Sequence, residues 1–155
     1  MIIYLVLAIV IIGIDQLVKY QTVAHLALGE SVTAIPHVLS FTYLRNTGAA
    51  WSLFEGQQTF FTIITIAAVV IVSYLLYRNR HGHWLFLLGL AMILAGAIGN
   101  FIDRIRLGFV VDMFQLDFIH FPIFNVADMS LSIGVLLIFI YTIFEDRLKG
   151  TQYAK

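Results

Sequence analysis

Asp112 and Asp128 are carboxylates with no obvious cation beside them. Asp112 lies in "GFVVDMFQLDF", residues 108 to 118, between two valines and a Met-Phe pair, with no lysine, arginine or histidine within five residues. Asp128 lies in "FNVADMSLSIG", where an apolar stretch begins. An isolated carboxylate at a dehydrated site must find a distant cation, bind a metal or take up a proton. Two of them can satisfy each other. Held a few ångströms apart they do not both ionise easily, so the pair offers one base and one acid. The ionised member can take a proton from water while the protonated member donates to a scissile carbonyl, so that a peptide bond is cut without metal or covalent intermediate. These residue types point to an aspartic peptidase pair.

Plainer roles compete with that chemistry. Asn125 or Asp128 can cap a helix beginning there, with the carboxylate also favoured by the helix dipole. Asp112 can pair across a loop with Arg104 or Arg106. A zinc site could draw on the aspartates with His37 or His120, but there is no HExxH and no histidine at helical ligand spacing with another ligand. There is no G-x-S-x-G, and no His-Asp arrangement supports Ser52, Ser130 or Ser132 as a nucleophile. No metal or cofactor is therefore expected. The non-enzyme alternatives are a small ion-coupled transporter, since intramembrane acids also line ion pathways, or a structural membrane protein with ion-paired acids. Four short helices without a repeated half match inverted-repeat carriers poorly.

The elements that must position these acids belong to a membrane. Apolar residues make up 61% of the chain and charged residues 12%, against about 25% charged in soluble domains. The formal net charge of zero gives no reason to expect a nucleic acid partner. With no cysteine there is no disulfide, thiolate ligand, cysteine nucleophile or lipidation on cysteine.

Spanning a hydrocarbon core takes about 20 mostly apolar residues. Four stretches qualify, predicting helices at about 1–20, 56–77, 84–102 and 124–144, within a single integral membrane domain over 1–155. The first could be a cleaved signal peptide, but no basic residue precedes its apolar run and no clear A-x-A site follows, so it reads as a helix. "RNRHGH", residues 78 to 83, is a tight hairpin between Tyr77 and Trp84 as interfacial anchors. Arg78, Arg80, Arg147, Lys149 and Lys155 would share its side. That bias makes this side, and both termini, cytoplasmic. Segments of about 21–55 and 103–123 then face outward. In the first, Val38 to Leu44 nearly alternates and reads as a short strand before a turn at Asn46 and Gly48. This strand and the loop from Asn46 to Phe54 are expected to form a cradle or flap over the acids. The fold class is thus an all-α membrane protein of four transmembrane helices with a small extracytoplasmic β-containing cradle and loop.

On this map Asp15, Asp103, Asp112 and Asp128 all fall near the outer interface. Asp15 and Lys19 are spaced i, i+4, so an internal ion pair accounts for both. Asp103 precedes Arg104, with Arg106 nearby, and is expected to be neutralised by them.

The motifs together resemble those of the bacterial lipoprotein signal peptidases, or type II signal peptidases. "DQLVK" at 15 to 19 is similar to the family's first-helix motif and "NTGAAWS" at 46 to 52 to its outward-loop motif. "AGAIGNFIDR" at 95 to 104, "VVDM" at 110 to 113 and "FNVAD" at 124 to 128 follow in family order. Each is weak alone, but five in order at the right depth are specific. The resemblance covers nearly the whole chain.

It implies that Asp112 and Asp128 are the catalytic pair and that Asn46, Gly48, Asn100, Arg104 and Asn125 bind substrate or support the pair. Asp15 and Lys19 stay structural. The implied substrate is a prolipoprotein with a diacylglyceryl-modified cysteine, cut just before that cysteine in the bacterial cytoplasmic membrane, with the active site at the outer face. Membrane lipid and a globomycin-type inhibitor are the other implied partners. Ala95 stands where the family commonly has glycine, and Trp51 and Met113 where it commonly has phenylalanine. None of the three removes a reacting group.

Overall fold

In the computed structural model, which describes residues 1–48 and 56–152, each of the four apolar stretches is a helix. In chain order the elements are α1 (Ile2–His25), β1 (Ser31–Ile35), β2 (Leu39–Asn46), α2 (Gln58–Arg78), α3 (Trp84–Leu107), β3 (Val110–Leu116) and α4 (Val126–Gln152). All four helices contain a window long and apolar enough to cross a membrane. Their environments differ. In α3, 56% of that window is buried inside the protein, against 17%, 11% and 17% for α1, α2 and α4. Helix α3 is therefore the central post, and the other three present most of their apolar surface outward. Exposed Ile63, Ile66, Val70 and Ile71 on α2 illustrate such a face. An outward face of this kind is stable where lipid is the solvent.

Contact between α3 and α4 relies on small residues, as helix association in lipid commonly does. A Cβ added at Gly96 would run into the carbonyl oxygen of Ala127 and lie 2.7 Å from Cγ of Leu131. The first turn of α4 thus lies directly against α3. A cluster of Val72, Leu76, Leu87, Leu90 and Leu94 ties α2 to α3 deeper in the bundle.

The helices outrun the stretches expected from hydropathy. Helix α1 continues past residue 20 to His25, and α3 continues past 102 to Leu107. Asp103, Arg104 and Arg106 therefore ride on a helix rather than in an outward segment. Helix α3 stops at Gly108, whose φ of 80° is left-handed and whose N–H reaches the Arg104 carbonyl. This is the usual glycine exit from a helix, and the chain enters β3 two residues later.

The material between the helices is more ordered than one short strand. Strands β1, β2 and β3 form an antiparallel sheet in that order. The strand expected at Val38 to Leu44 is β2, displaced to Leu39–Asn46, while β1 and β3 were not expected. Strand β3 lacked the alternating signature because Val110, Val111, Asp112 and Met113 are all buried. Val111 and Met113 pack with Tyr43 in a small core under the sheet. A strand covered on both faces reads as a continuous apolar run. Between Phe41 and Leu44 the register slips, so that Asp112 stands opposite Leu44 and Val110 opposite Asn46. Of the loop expected to form a flap, residues 49–54, including Trp51 and Ser52, lie outside the described residues.

The contact at Gly96 makes a direct prediction. Gly96→Ala forces the start of α4 away from α3, and overpacking of this kind costs about 1–3 kcal/mol. The thermal midpoint of the purified protein in detergent should fall. An unchanged midpoint would mean that α4 can shift without cost and that the close contact is not limiting.

Candidate active site

Three elements bring Asp112 and Asp128 to one end of the bundle. Strand β3 carries Asp112, the first turn of α4 carries Asp128, and α3 supplies Asn100 and Arg104 between them. Asn125 immediately precedes α4. Its Oδ1 accepts the Asp128 N–H at 2.9 Å, while Oδ2 of Asp128 accepts the Asn125 N–H at 3.2 Å. This is a reciprocal capping arrangement. The capping role expected for Asn125 and Asp128 is present, and it fixes the carboxylate at the helix mouth.

Asparagine amides hold the rest of both carboxylates. Nδ2 of Asn125 donates to Oδ1 of Asp112 at 2.6 Å, and Nδ2 of Asn46 donates to Oδ2 at 3.0 Å. Nδ2 of Asn100 donates to Oδ1 of Asp128 at 2.7 Å. The Asn125 amide also reaches Oδ1 of Asn100 at 3.2 Å, linking the groups around the two acids. An ion pair of Asp112 with Arg104 or Arg106 is not formed. The polar neighbours of Asp112 are amides because the sheet register delivers Asn46, and the α4 cap delivers Asn125, to its two oxygens.

Asp112 is 1% exposed. That burial pushes its carboxyl up to about 7, and the charge of Asp128 adds to the rise. Hydrogen bonds from Asn46 and Asn125 and the charge of Lys19 oppose it. A buried acid with a second carboxylate acting on it keeps its proton to higher pH than a free aspartate. The arrangement can therefore hold a base and an acid together near neutral pH.

A cavity of about 670 Å³ adjoins the acids. Asn46, Gly48, Asn100, Arg104 and Asp128 form its polar wall, and residues of α2 and α4 such as Ile64, Ala68 and Leu131 form an apolar one. Asp128 is partly open to it, whereas Asp112 lies behind the Asn46 amide. Gly48 belongs to the turn after β2: its N–H donates to Oδ1 of Asn46 at 2.9 Å, and its carbonyl accepts from Nη2 of Arg104 at 3.3 Å. The Arg104 guanidinium also lies over the Phe61 ring, 5.0 Å from its centre. Its Nε is buried and has no hydrogen-bond partner among the described residues.

Asp15 and Lys19 form the expected pair, with Nζ 2.9 Å from Oδ2 of Asp15. The assignment of Asp103 to Arg104 or Arg106 is corrected: Asp103 lies 2.9 Å from the same Lys19 Nζ. Asp103 faces α1 across the helix interface, so its cation comes from the neighbouring helix. Gln16 was overlooked. Its amide donates to Oδ2 of Asp15, Oδ1 of Asp103 and the Gly99 carbonyl at 3.2, 3.0 and 3.2 Å. Its spacing from Lys19, i to i+3, was the available signal.

These features define a class: a four-helix membrane protein with two carboxylates under an amide network, beside a cavity with one polar and one apolar wall. The family model described as signal peptidase (SPase) II matches residues 7–144. This chain belongs to that family and is a peptidase. It is 52% identical over 147 residues to a lipoprotein signal peptidase of Enterococcus faecalis, covering 95% of this chain and 91% of that protein. It is 50% identical over 144 residues to a lipoprotein signal peptidase of Lactiplantibacillus plantarum, covering 93% and 96%. A solved structure described as a bacterial membrane enzyme aligns with a TM-score of 0.84 at 38% identity, over 98% of this chain and 91% of the other.

The raised value at Asp112 has a stability consequence whose sign is fixed. The folded protein keeps a proton that the unfolded chain releases, so stability falls as pH rises from about 4 to about 7 and levels off beyond. Asp112→Asn removes that titration. The difference in thermal midpoint, wild type minus variant, should decline across this window. A difference constant with pH would show that Asp112 is not perturbed by the fold.

Proposed function

We propose that this chain is an aspartic endopeptidase that removes signal peptides from prolipoproteins, with Asp112 and Asp128 as the catalytic pair. One observation carries the reading: two carboxylates from separate elements meet where an amide network and a cavity converge inside a membrane bundle. The singly protonated pair takes a proton from water and gives one to the scissile carbonyl. The hydroxyl adds to the carbonyl carbon, and the tetrahedral diol collapses with a proton passing to the leaving amine. One water is consumed, one C–N bond breaks, and the pair returns to its starting state.

The supporting residues have roles that suit this cycle. Asn100 and Asn125 keep both acids oriented, and Asn46 donates to the second oxygen of Asp112. Arg104, on the cavity wall with a buried Nε that has no partner among the described residues, offers a donor to a substrate carbonyl. The turn at Gly48 is braced between Asn46 and Arg104. The apolar wall between α2 and α4 suits the signal helix and the acyl chains of a diacylglyceryl-modified cysteine, with cleavage just before that residue. A globomycin-type inhibitor would occupy the same cavity.

Orientation follows from charge. Arg78 and Arg80 lie at the turn after α2, at the end of the bundle away from the acids, beside exposed Tyr77 and Trp84. The positive-inside rule puts that end in the cytoplasm and the acids at the outer face, with both termini cytoplasmic. Lipid then covers the outward helix faces. Membership of a peptidase family counts against the transporter and purely structural readings.

Cleavage of a diacylglyceryl-cysteine lipopeptide by purified wild type, Asp112→Asn and Asp128→Asn in detergent tests the pair. Each folded variant should lose activity by about 100-fold or more. A folded variant cutting at the wild-type rate would remove that aspartate from the mechanism. The wild-type rate should be bell-shaped in pH, with an alkaline limb near 7 that belongs to the pair. A rate flat through that range would contradict a shared proton.

A further inference from the structure

Lys19 is buried, and its ammonium has three protons to donate. The structure supplies three acceptors: Oδ2 of Asp15 at 2.9 Å, Oδ2 of Asp103 at 2.9 Å and Oδ1 of Asn100 at 3.0 Å. Each of these acceptors is also bonded toward the site. Oδ1 of Asp15 accepts the N–H of Ala127 at 2.8 Å, the residue immediately before Asp128. Oδ2 of Asp103 accepts the N–H of Val111 at 3.1 Å, the residue immediately before Asp112. Asn100, with its carbonyl committed to Lys19 and Asn125, can turn only its NH₂ toward Asp128.

An ion pair that served only to neutralise charge within α1 would need none of these links. Here one ammonium fixes two carboxylates, and each holds the peptide N–H that precedes one member of the pair. The third link fixes the orientation of an amide that donates directly to Asp128. Gln16 ties the two carboxylates together from the other side. The anchoring helices α1 and α3 are otherwise separate in sequence from β3 and α4.

We propose that Asp15, Lys19 and Asp103 are positioning residues of the peptidase, a charged clamp that sets the placement of Asp112 and Asp128 through the backbone N–H groups of Val111 and Ala127 and through Asn100. This rests on the reading of Asp112 and Asp128 as the catalytic pair. None of the three lines the cavity beside Asp128, and the clamp acts through the two peptide units and Asn100. It also sets the field at the site. Charged groups acting on Asp112 are Asp128 from α4, Lys19 from α1 and Arg104 from α3.

The test uses the full chain in detergent with a diacylglyceryl-cysteine lipopeptide, assayed well below each variant's thermal midpoint. Asp103→Asn and Asp15→Asn keep the side-chain shape but meet donors that an amide cannot all accept. Lys19→Met keeps the stem and removes the charge. Ser130→Ala, which removes a hydrogen bond from α4 to the Met92 carbonyl of α3, reports the effect of a general loss of stability. Displacement of a reacting group by about 1 Å can cost about 100-fold. The clamp variants should therefore lose kcat by roughly 10- to 100-fold with KM within about twofold, and Lys19→Met should move the pH limbs upward. Ser130→Ala should keep both kcat and limbs.

Folded clamp variants with wild-type kcat and wild-type limbs would overturn the proposal. So would losses that merely track the thermal midpoint, as Ser130→Ala would reveal. If the charge variants do not fold, Gln16→Met decides, because it loosens the same two carboxylates while leaving all three charges. A few-fold drop in kcat with shifted limbs supports the clamp, and wild-type kinetics refute it. Asp112→Asn, run alongside, separates the two ideas: if it cuts, the pair itself is wrong, whereas inactive Asp112→Asn with unaffected clamp variants removes only the clamp.

Discussion

A single ammonium between two carboxylates, closed off from water, is the constraint on which the rest of the structure depends. Lys19, Asp15 and Asp103 are each 3% exposed or less. Charges so placed are tolerated only when every donor and acceptor is matched, and removing one partner of a buried pair costs about 3–5 kcal/mol. Matching them forces α1 against α3 at one level of the bundle. The same matching extends into the backbone of β3 and of the first turn of α4. The polar end of the molecule is thus assembled around a charge that none of the four helices could bury alone.

From that base the hydrogen bonds meet at Asn100. The Lys19 ammonium and the Asn125 amide both give to its Oδ1, and the amides of Asn100 and Asn125 give to Asp128 and Asp112. Asparagine suits this relay because it accepts through one atom and donates through another on a short, stiff side chain. A buried carboxylate held by amide donors keeps an affinity for a proton where burial and a second carboxylate nearby outweigh the donors. At Asp112 that balance falls near neutral pH.

Asp128 shows that an ordinary structural role and the proposed chemical one can share a residue. It caps α4, where the exposed N–H groups and the helix dipole favour a carboxylate, and it faces the cavity. Its placement is accurate because the cap geometry is accurate. Small residues on α3 complete this, since only a glycine at Gly96 lets the start of α4 approach closely enough for Asn100 to reach Asp128. The apolar bulk of the bundle is permissive by comparison, since its outward faces need only be compatible with lipid.

Hydropathy determined the four spans from the sequence alone, because a bilayer demands long uncharged helices whatever their partners. Helical spacing determined the Asp15–Lys19 pair, which is local to one face of α1. The absence of a neighbouring cation marked Asp112 and Asp128. Five short motifs in family order supplied the family. The ends of α1 and α3 were not legible, since a helix does not stop where hydrocarbon does, and β3 was hidden because burial on both faces erases alternation. Only the tertiary structure decided that Asp103 belongs to Lys19, that Asn46 and Asn125 meet on Asp112, and that Gln16 joins the cluster. Those partners are 13 to 87 residues apart, and their pairing is set by strand register and helix contact, which no local pattern in the chain encodes.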